Sequence, residues 1–344
     1  MAVKRYSSLF MSYKRTLKMK KSPLLIMVLL LPSLLISAKA SSLVVSDNSA
    51  VNDLLKPMAI KSIYQNNFAD FDANHWLLEG PGNYRTSDSH SSLYVESLVW
   101  REMAAAWGKN DRKPLSPALY YATAGKVIKE KHPEQLSKII NKDGNVEGGH
   151  LVLWNKQVVL PESYLISYNF EPKTPIGLGI LFFSAEGIAE QDILSAELNK
   201  RTGIFSQYTK ADINSYHISY WANNAAVGKR ASCNLRKNSG FYNLASGVDP
   251  SVAKLDYGQK EMTLEKHRIE LIKIKNRIVF FVNGIQVFDY VDQGINDILD
   301  AQGQPTGKTI DTGVYHKGGR FGFRQMLSLA AEYSDLKIFS LVEK

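Results

Sequence analysis

The sequence predicts an all-β fold, a jelly-roll sandwich carrying a small helical insertion, and three observations predict it. From His150 onward, short runs such as "YLISYNF", "LGILFFS", "SYHISYWA", "RIELIKI", "RIVFFV", "IQVFDY", "RFGFRQM" and "DLKIFSL" are rich in β-branched and aromatic residues and mostly alternate with period two, the spacing of strands. Turn residues separate the runs and no helix alternates with them, which excludes a βαβ fold and leaves a sandwich or jelly roll. Helical spacing is confined to about residues 100–145. There "SPALYYATAGKVIKEKHPEQLSKII" has a Ser start signal and is split at Pro133, so it reads as an insertion.

In chain order, the N-terminus reads as a secretory leader. "KMKKS" is a basic n-region, "PLLIMVLLLPSLLI" a short apolar run, and "SAKA" followed by "SS" a small-residue cleavage site. Cleavage is expected after Ala40, with Met11 and Met19 as alternative starts and no membrane span in the mature chain. The protein is therefore expected in the periplasm or outside the cell. Eight of the 42 Lys and Arg residues fall in this leader and no acid does, leaving 34 against 33 Asp and Glu. A nearly neutral mature chain gives no case for nucleic acid or a charged membrane surface. Cys233 is the single cysteine and cannot close an internal disulfide; it reads as a small buried hydrophobe. Residues 41–70 read as a polar lead-in, and residues 71–344 as one jelly-roll domain.

The clearest unit is "HRIELIKIKNRIVFFVNGIQVFDY", a three-stranded meander with turns at Lys275-Asn276 and Asn283-Gly284, the latter suited to a type I′ turn. Its first strand breaks alternation, since Ile269 and Leu271 have one parity and Ile272 and Ile274 the other. Either a bulge switches the faces or the strand is apolar on both sides.

Five separated blocks, "HLVLWNKQVVLPESYLISYNFEP", "LGILFFSAEG", "SYHISYWAN", "CNLRKNSGFYNL" and "GGRFGFRQM…AEYSDLKIFSL", resemble the YesU-like proteins of unknown function. These belong to the concanavalin A-like lectin/glucanase superfamily. The resemblance covers about Gly149 to Leu341. It implies a concanavalin A-like jelly roll and a setting in the degradation of pectin-like or uronic-acid-rich glycans, and it carries no agreed mechanism. The helical segment departs from the family's compact pattern.

The chemistry is therefore read from residues. His217, Ser219 and Trp221 share one parity of their strand, as Asn234, Arg236 and Asn238 do of theirs. An imidazole could move a proton, an indole could cover a sugar ring, Arg236 could pair with a carboxylate, and the amides could bond hydroxyls. His316, Arg320, Gly322 and Arg324 form a basic row in which glycine would let a ligand approach the backbone, with Phe321 and Phe323 as core. Trp154 is a further candidate sugar contact. Glu186 is the best lone carboxylate. The glucanase pattern Glu-x-Asp-x-x-Glu is begun by Glu190 and Asp192 but broken by Ser195, with Glu197 late. No metal-ligand spacing, nucleophile elbow or phosphate loop occurs. No cofactor is expected, and a structural calcium ion on the rim is left open with nothing calling for one. The expected partner is a polysaccharide or oligosaccharide, acidic in character. The first expectation for its chemistry is elimination at a uronate, with His217 as base, Arg236 and Arg324 supplying charge; the alternatives are hydrolysis using Glu186, or binding alone.

Overall fold

The computed structural model describes residues 45–344 apart from residues 70, 141–149, 227, 254, 256–263 and 301–302. The expected leader and its cleavage point lie outside the described residues. The chain begins with α1 (Ser49–Leu55), β1 (Met58–Asn66), β2 (Trp76–Glu79), β3 (Gly82–Thr86) and β4 (Leu93–Ser97). Helices α2 (Trp100–Lys109), α3 (Pro117–Lys131) and α4 (Pro133–Ile139) follow, then β5 (Leu151–Asn155), β6 (Tyr164–Pro172) and β7 (Gly177–Gly187). Next come α5 (Ser206–Thr209), β8 (Ile213–Asn224), β9 (Gly228–Lys229), β10 (Ser232–Asn238), β11 (Tyr242–Val248) and α6 (Pro250–Ala253). The last elements are β12 (His267–Ile274), β13 (Arg277–Val282), β14 (Ile285–Val291), β15 (Ile295–Leu299), β16 (Pro305–Asp311), β17 (Arg320–Gln325) and β18 (Ala330–Glu343).

Two antiparallel sheets make the sandwich. Sheet I has the order β14-β13-β12-β6-β18-β4-β3 with β1 on β18, and sheet II the order β11-β10-β8-β7-β17-β5-β2 with β9 on β8. Alternation places Tyr164, Ile166, Tyr168 and Phe170 of sheet I against Leu181, Phe183, Tyr216, Ile218, Leu235, Phe321 and Phe323 of sheet II in one buried core. Phe321 and Phe323 thus pack between the sheets.

The parity break in β12 is resolved by a third layer. Its register with β6 and β13 carries no bulge. Ile269 and Leu271 face the central core, while Ile272 packs with Leu165, Phe281 and Phe339 beneath Val51 and Leu55 of α1. A strand covered on both faces is apolar on both. The stretch expected to be a polar lead-in therefore supplies structure: α1, capped by the Asn48 side chain on Ala50 N, and β1, paired along β18. Asn283 and Gly284 both have positive φ, 51° and 75°, as the type I′ turn requires. In the helical segment, Ser116 caps α3 through Leu119 N and Pro117 occupies its first turn. Its apolar side packs Met103, Trp107, Tyr120 and Ile128 against Ile176 and Leu327. Among the described residues, no helix is long and apolar enough to cross a membrane.

Candidate functional site

The outer face of sheet II carries the polar constellation. Arg236 of β10 lies directly opposite His217 of β8, and Asn234 opposite Ser219. Across the next two strands His217 pairs with Phe182, and Ile180 with Arg324. Two adjacent rows thus run over the sheet, one Arg236–His217–Phe182–Gly322 and the other Asn234–Ser219–Ile180–Arg324.

His217 is buried and its Nδ1 lies 2.9 Å from Asn238 Nδ2, which also donates to Ser215 Oγ at 2.9 Å. In this orientation the amide donates to Nδ1 and the neutral ring keeps its proton on Nε2. With the amide turned, Asn238 Oδ1, which otherwise has no partner among the described residues, would accept from Nδ1–H and free the Nε2 lone pair. Ser215 can donate or accept, so it suits either orientation. Burial first, then the charges of Arg236, Arg324 and Arg230, hold the imidazole well below its usual range, so it is neutral at pH 7.

Burial and the neighbouring Arg230 lower Arg236 to about 10, and burial lowers Arg324 to about 10. Arg230 Nη2 donates to Ser219 Oγ at 2.9 Å, which brings this residue, unforeseen in the sequence, onto the same face. No ion pair holds Arg230, Arg236 or Arg324 among the described residues. Phe241, from the turn between β10 and β11, covers the pair: its ring centroid is 5.6 Å from that of His217 and 4.7 Å from the Arg236 guanidinium.

The other half of this face is roofed by residues 188–212. Trp154, Phe182, Ile193 and Tyr208 form a small core there. Glu79 anchors it, accepting from Arg201 Nε and Nη2 at 3.1 and 2.8 Å, Trp154 Nε1 at 2.9 Å and Tyr208 OH at 2.9 Å. Arg324 lies under the roof, 4.8 Å from the Tyr208 ring and 5.7 Å from that of Phe205.

Several expected site residues sit elsewhere. Trp221 has φ 50°, which breaks the alternation of β8 and turns the indole into the central core against Phe170 and His267. Trp154 is on the outer face but fully buried under the roof, so it offers no surface to a sugar. Arg320 is committed to a bidentate pair with Asp192 at 2.7 and 2.6 Å. His316 lies off this row. Its Nε2 meets Asn238 O at 2.8 Å and its ring packs on core-facing Tyr216. Glu186 pairs with Asn214, on the parity of Tyr216, because the bulge around Ser184, φ 48°, reverses the strand's faces. Gly322 gives no ligand access: a Cβ there would meet Trp154 Cε3 at 2.7 Å, so the indole occupies the space. Among the described residues, no three His, Cys, Asp or Glu side chains gather as metal ligands.

Two packed antiparallel sheets in this order define a β-sandwich of the lectin/glucanase type. Residues 121–338 match the family described as domain of unknown function DUF1961, and the chain belongs to that family. It is 30% identical over 221 residues to the uncharacterized protein YesU of Bacillus subtilis (strain 168), covering 64% of this chain and 88% of that one. A solved Bacillus subtilis protein of unknown function with a galectin-like fold superposes with a TM-score of 0.54 at 24% identity, covering 83% of this chain and all (100%) of that one. The kappa-carrageenase of Pseudoalteromonas carrageenovora, solved with an oligotetrasaccharide of kappa-carrageenan, matches at 11% identity and a TM-score of 0.42, covering 83% of this chain and 97% of its own. That score is too low to bear on the chemistry of this chain.

Proposed function

We propose that this chain is exported and engages an acidic polysaccharide or oligosaccharide on the outer face of sheet II, and that the reaction there is elimination at a uronate. The observation that carries the reading is the direct pairing of Arg236 with His217, a guanidinium beside a buried neutral imidazole, both covered by Phe241, whose turn has to move aside for a sugar to reach them. Elimination requires those two functions. A cation binds the carboxylate and stabilises the negative charge that develops when the adjacent proton leaves, and a base takes that proton. With Asn238 Oδ1 turned to Nδ1–H, Nε2 of His217 is the base. The C–H electrons form the new double bond, the C–O bond β to the carboxylate breaks, and the departing oxygen is protonated by solvent.

Hydrolysis is less well supported, because it needs two carboxylates flanking one bond. Glu79 is saturated by Arg201, Trp154 and Tyr208, and Glu186 is on the opposite parity. A binding-only role is favoured by one observation: as oriented, Asn238 donates to Nδ1 and makes Nε2 a donor. Incubation with uronic-acid oligosaccharides separates these readings. Ultraviolet absorbance from an unsaturated uronate supports elimination; new reducing ends without absorbance indicate hydrolysis; saturable binding without product indicates recognition alone.

A further inference from the structure

We propose that Arg230 and Arg236 form a two-guanidinium clamp for the oxyanion substituent of the sugar, so that Arg230, which follows β9, sets specificity for charge. The inference rests on reading this face as an acidic-sugar site. The two arginines are tied to one frame. Arg230 N donates to Ala222 O at 2.7 Å and its Nη2 to Ser219 Oγ at 2.9 Å, while Ser219 lies opposite Asn234 on β10. With its amide oxygen toward Arg236, Asn234 accepts Nη2 at 3.0 Å and donates to Ser246 Oγ. Arg236 is thereby held beside its strand neighbour, with no ion pair to it among the described residues.

Among the described residues, the buried Arg230 Nε has no partner. Asp249 is a carboxylate whose charge Arg230 feels, but its oxygens are taken by Trp221 N at 2.8 Å and by Ser251. Arg236 feels Arg230 as a like charge. Two guanidinium groups on one stretch of this face, Arg230 at Ser219 and Arg236 on the strand paired with it, are arranged for an anion that accepts from both. A planar carboxylate and a sulfate ester share this chemistry.

The test uses the protein beginning at Ser41 and calorimetric titration with three ligands: a galacturonate oligosaccharide, its carboxyl-reduced neutral counterpart and a sulfated oligosaccharide. Arg230→Gln should bind the acidic ligand roughly tenfold to a hundredfold more weakly, the span of one charge-assisted contact, and Arg230→Lys should recover part of that loss. In a thermal-shift series with sodium galacturonate or sodium sulfate, the anion should raise the melting temperature of the wild type more than that of Arg230→Gln, which shows directly whether the variant is folded. Preference for sulfate over carboxylate keeps the clamp and overturns the uronate reading. If Arg236→Ala loses the acidic ligand while Arg230→Gln binds it like the wild type, the clamp is wrong and the site stands. If the wild type binds no anion, both fail.

Discussion

Substituting Glu79 by Gln tests how the roof over sheet II is held. The carboxylate accepts four hydrogen bonds, two from Arg201 and one each from Trp154 and Tyr208. Its side chain is 8% exposed and that of Arg201 4%, so solvent screens the pair little. A glutamine oxygen can satisfy one or two donors, but its NH2 then faces the remaining N–H and O–H groups, and Arg201 loses its counter-charge. Breaking one partner of a buried ion pair costs about 3–5 kcal/mol, and the orphaned Trp154 and Tyr208 donors act in the same direction. For a chain of this size that corresponds to a fall in melting temperature of roughly 10 °C. Urea unfolding followed by tryptophan fluorescence and circular dichroism measures it. A loss below about 1 kcal/mol would refute the reasoning, since it would mean that the pair is solvated and the roof is held by something else. Adding Arg201→Met to Glu79→Gln should recover much of the loss, because no buried charge then lacks a partner.

Three further outcomes are expected. Trp221→Ala should cost about 3–5 kcal/mol of stability as a core cavity and leave affinity for acidic oligosaccharide in the folded protein within about twofold; a selective loss of binding would return Trp221 to the site. Gly322→Ala should cost about 1–3 kcal/mol by displacing Trp154, read as a red-shifted, less intense tryptophan emission. Stability should fall as pH drops below about 6.5. His150, His217 and His316 all have folded pKa values below that, His316 at about 4, each chiefly through burial. The unfolded chain therefore binds protons first, and stability present above 6.5 is lost toward 4, each imidazole contributing up to about 1.4 kcal/mol per pH unit. His217→Asn should flatten that slope by about one proton, and a urea midpoint constant from pH 7 to 5 would contradict the assignment.

Most strands after His150 were legible because they alternate against a buried layer or, like β12, are apolar on both faces, and Phe321 and Phe323 fall in the core as their parity implies. Position β1 was not legible, since it is largely exposed and its partner β18 lies at the other end of the chain. Within the site, parity brought His217 to Arg236 because neither strand is irregular between the paired residues. It failed at Trp221 and Glu186, where positive φ at Trp221 and Ser184 breaks the alternation of the strand. Residue chemistry gives no warning of such bulges. Arg230 lies outside the alternating runs, in the connection between β9 and β10, and only the folded path of the chain brings it to Ser219. Trp154 and Arg320 look available in sequence; the roof that occupies them comes from residues 188–212, which have little period of their own.

The most direct measurement of the central claim is the imidazole resonance of His217 during titration with trigalacturonate, with the carboxyl-reduced trisaccharide as the comparison and Arg236→Ala as the control protein. An acidic-sugar site at this position requires the His217 ring signals to shift saturably with trigalacturonate, much less with the neutral sugar, and hardly at all in Arg236→Ala. Saturable binding that leaves the His217 signals unmoved would place the sugar elsewhere and contradict the account.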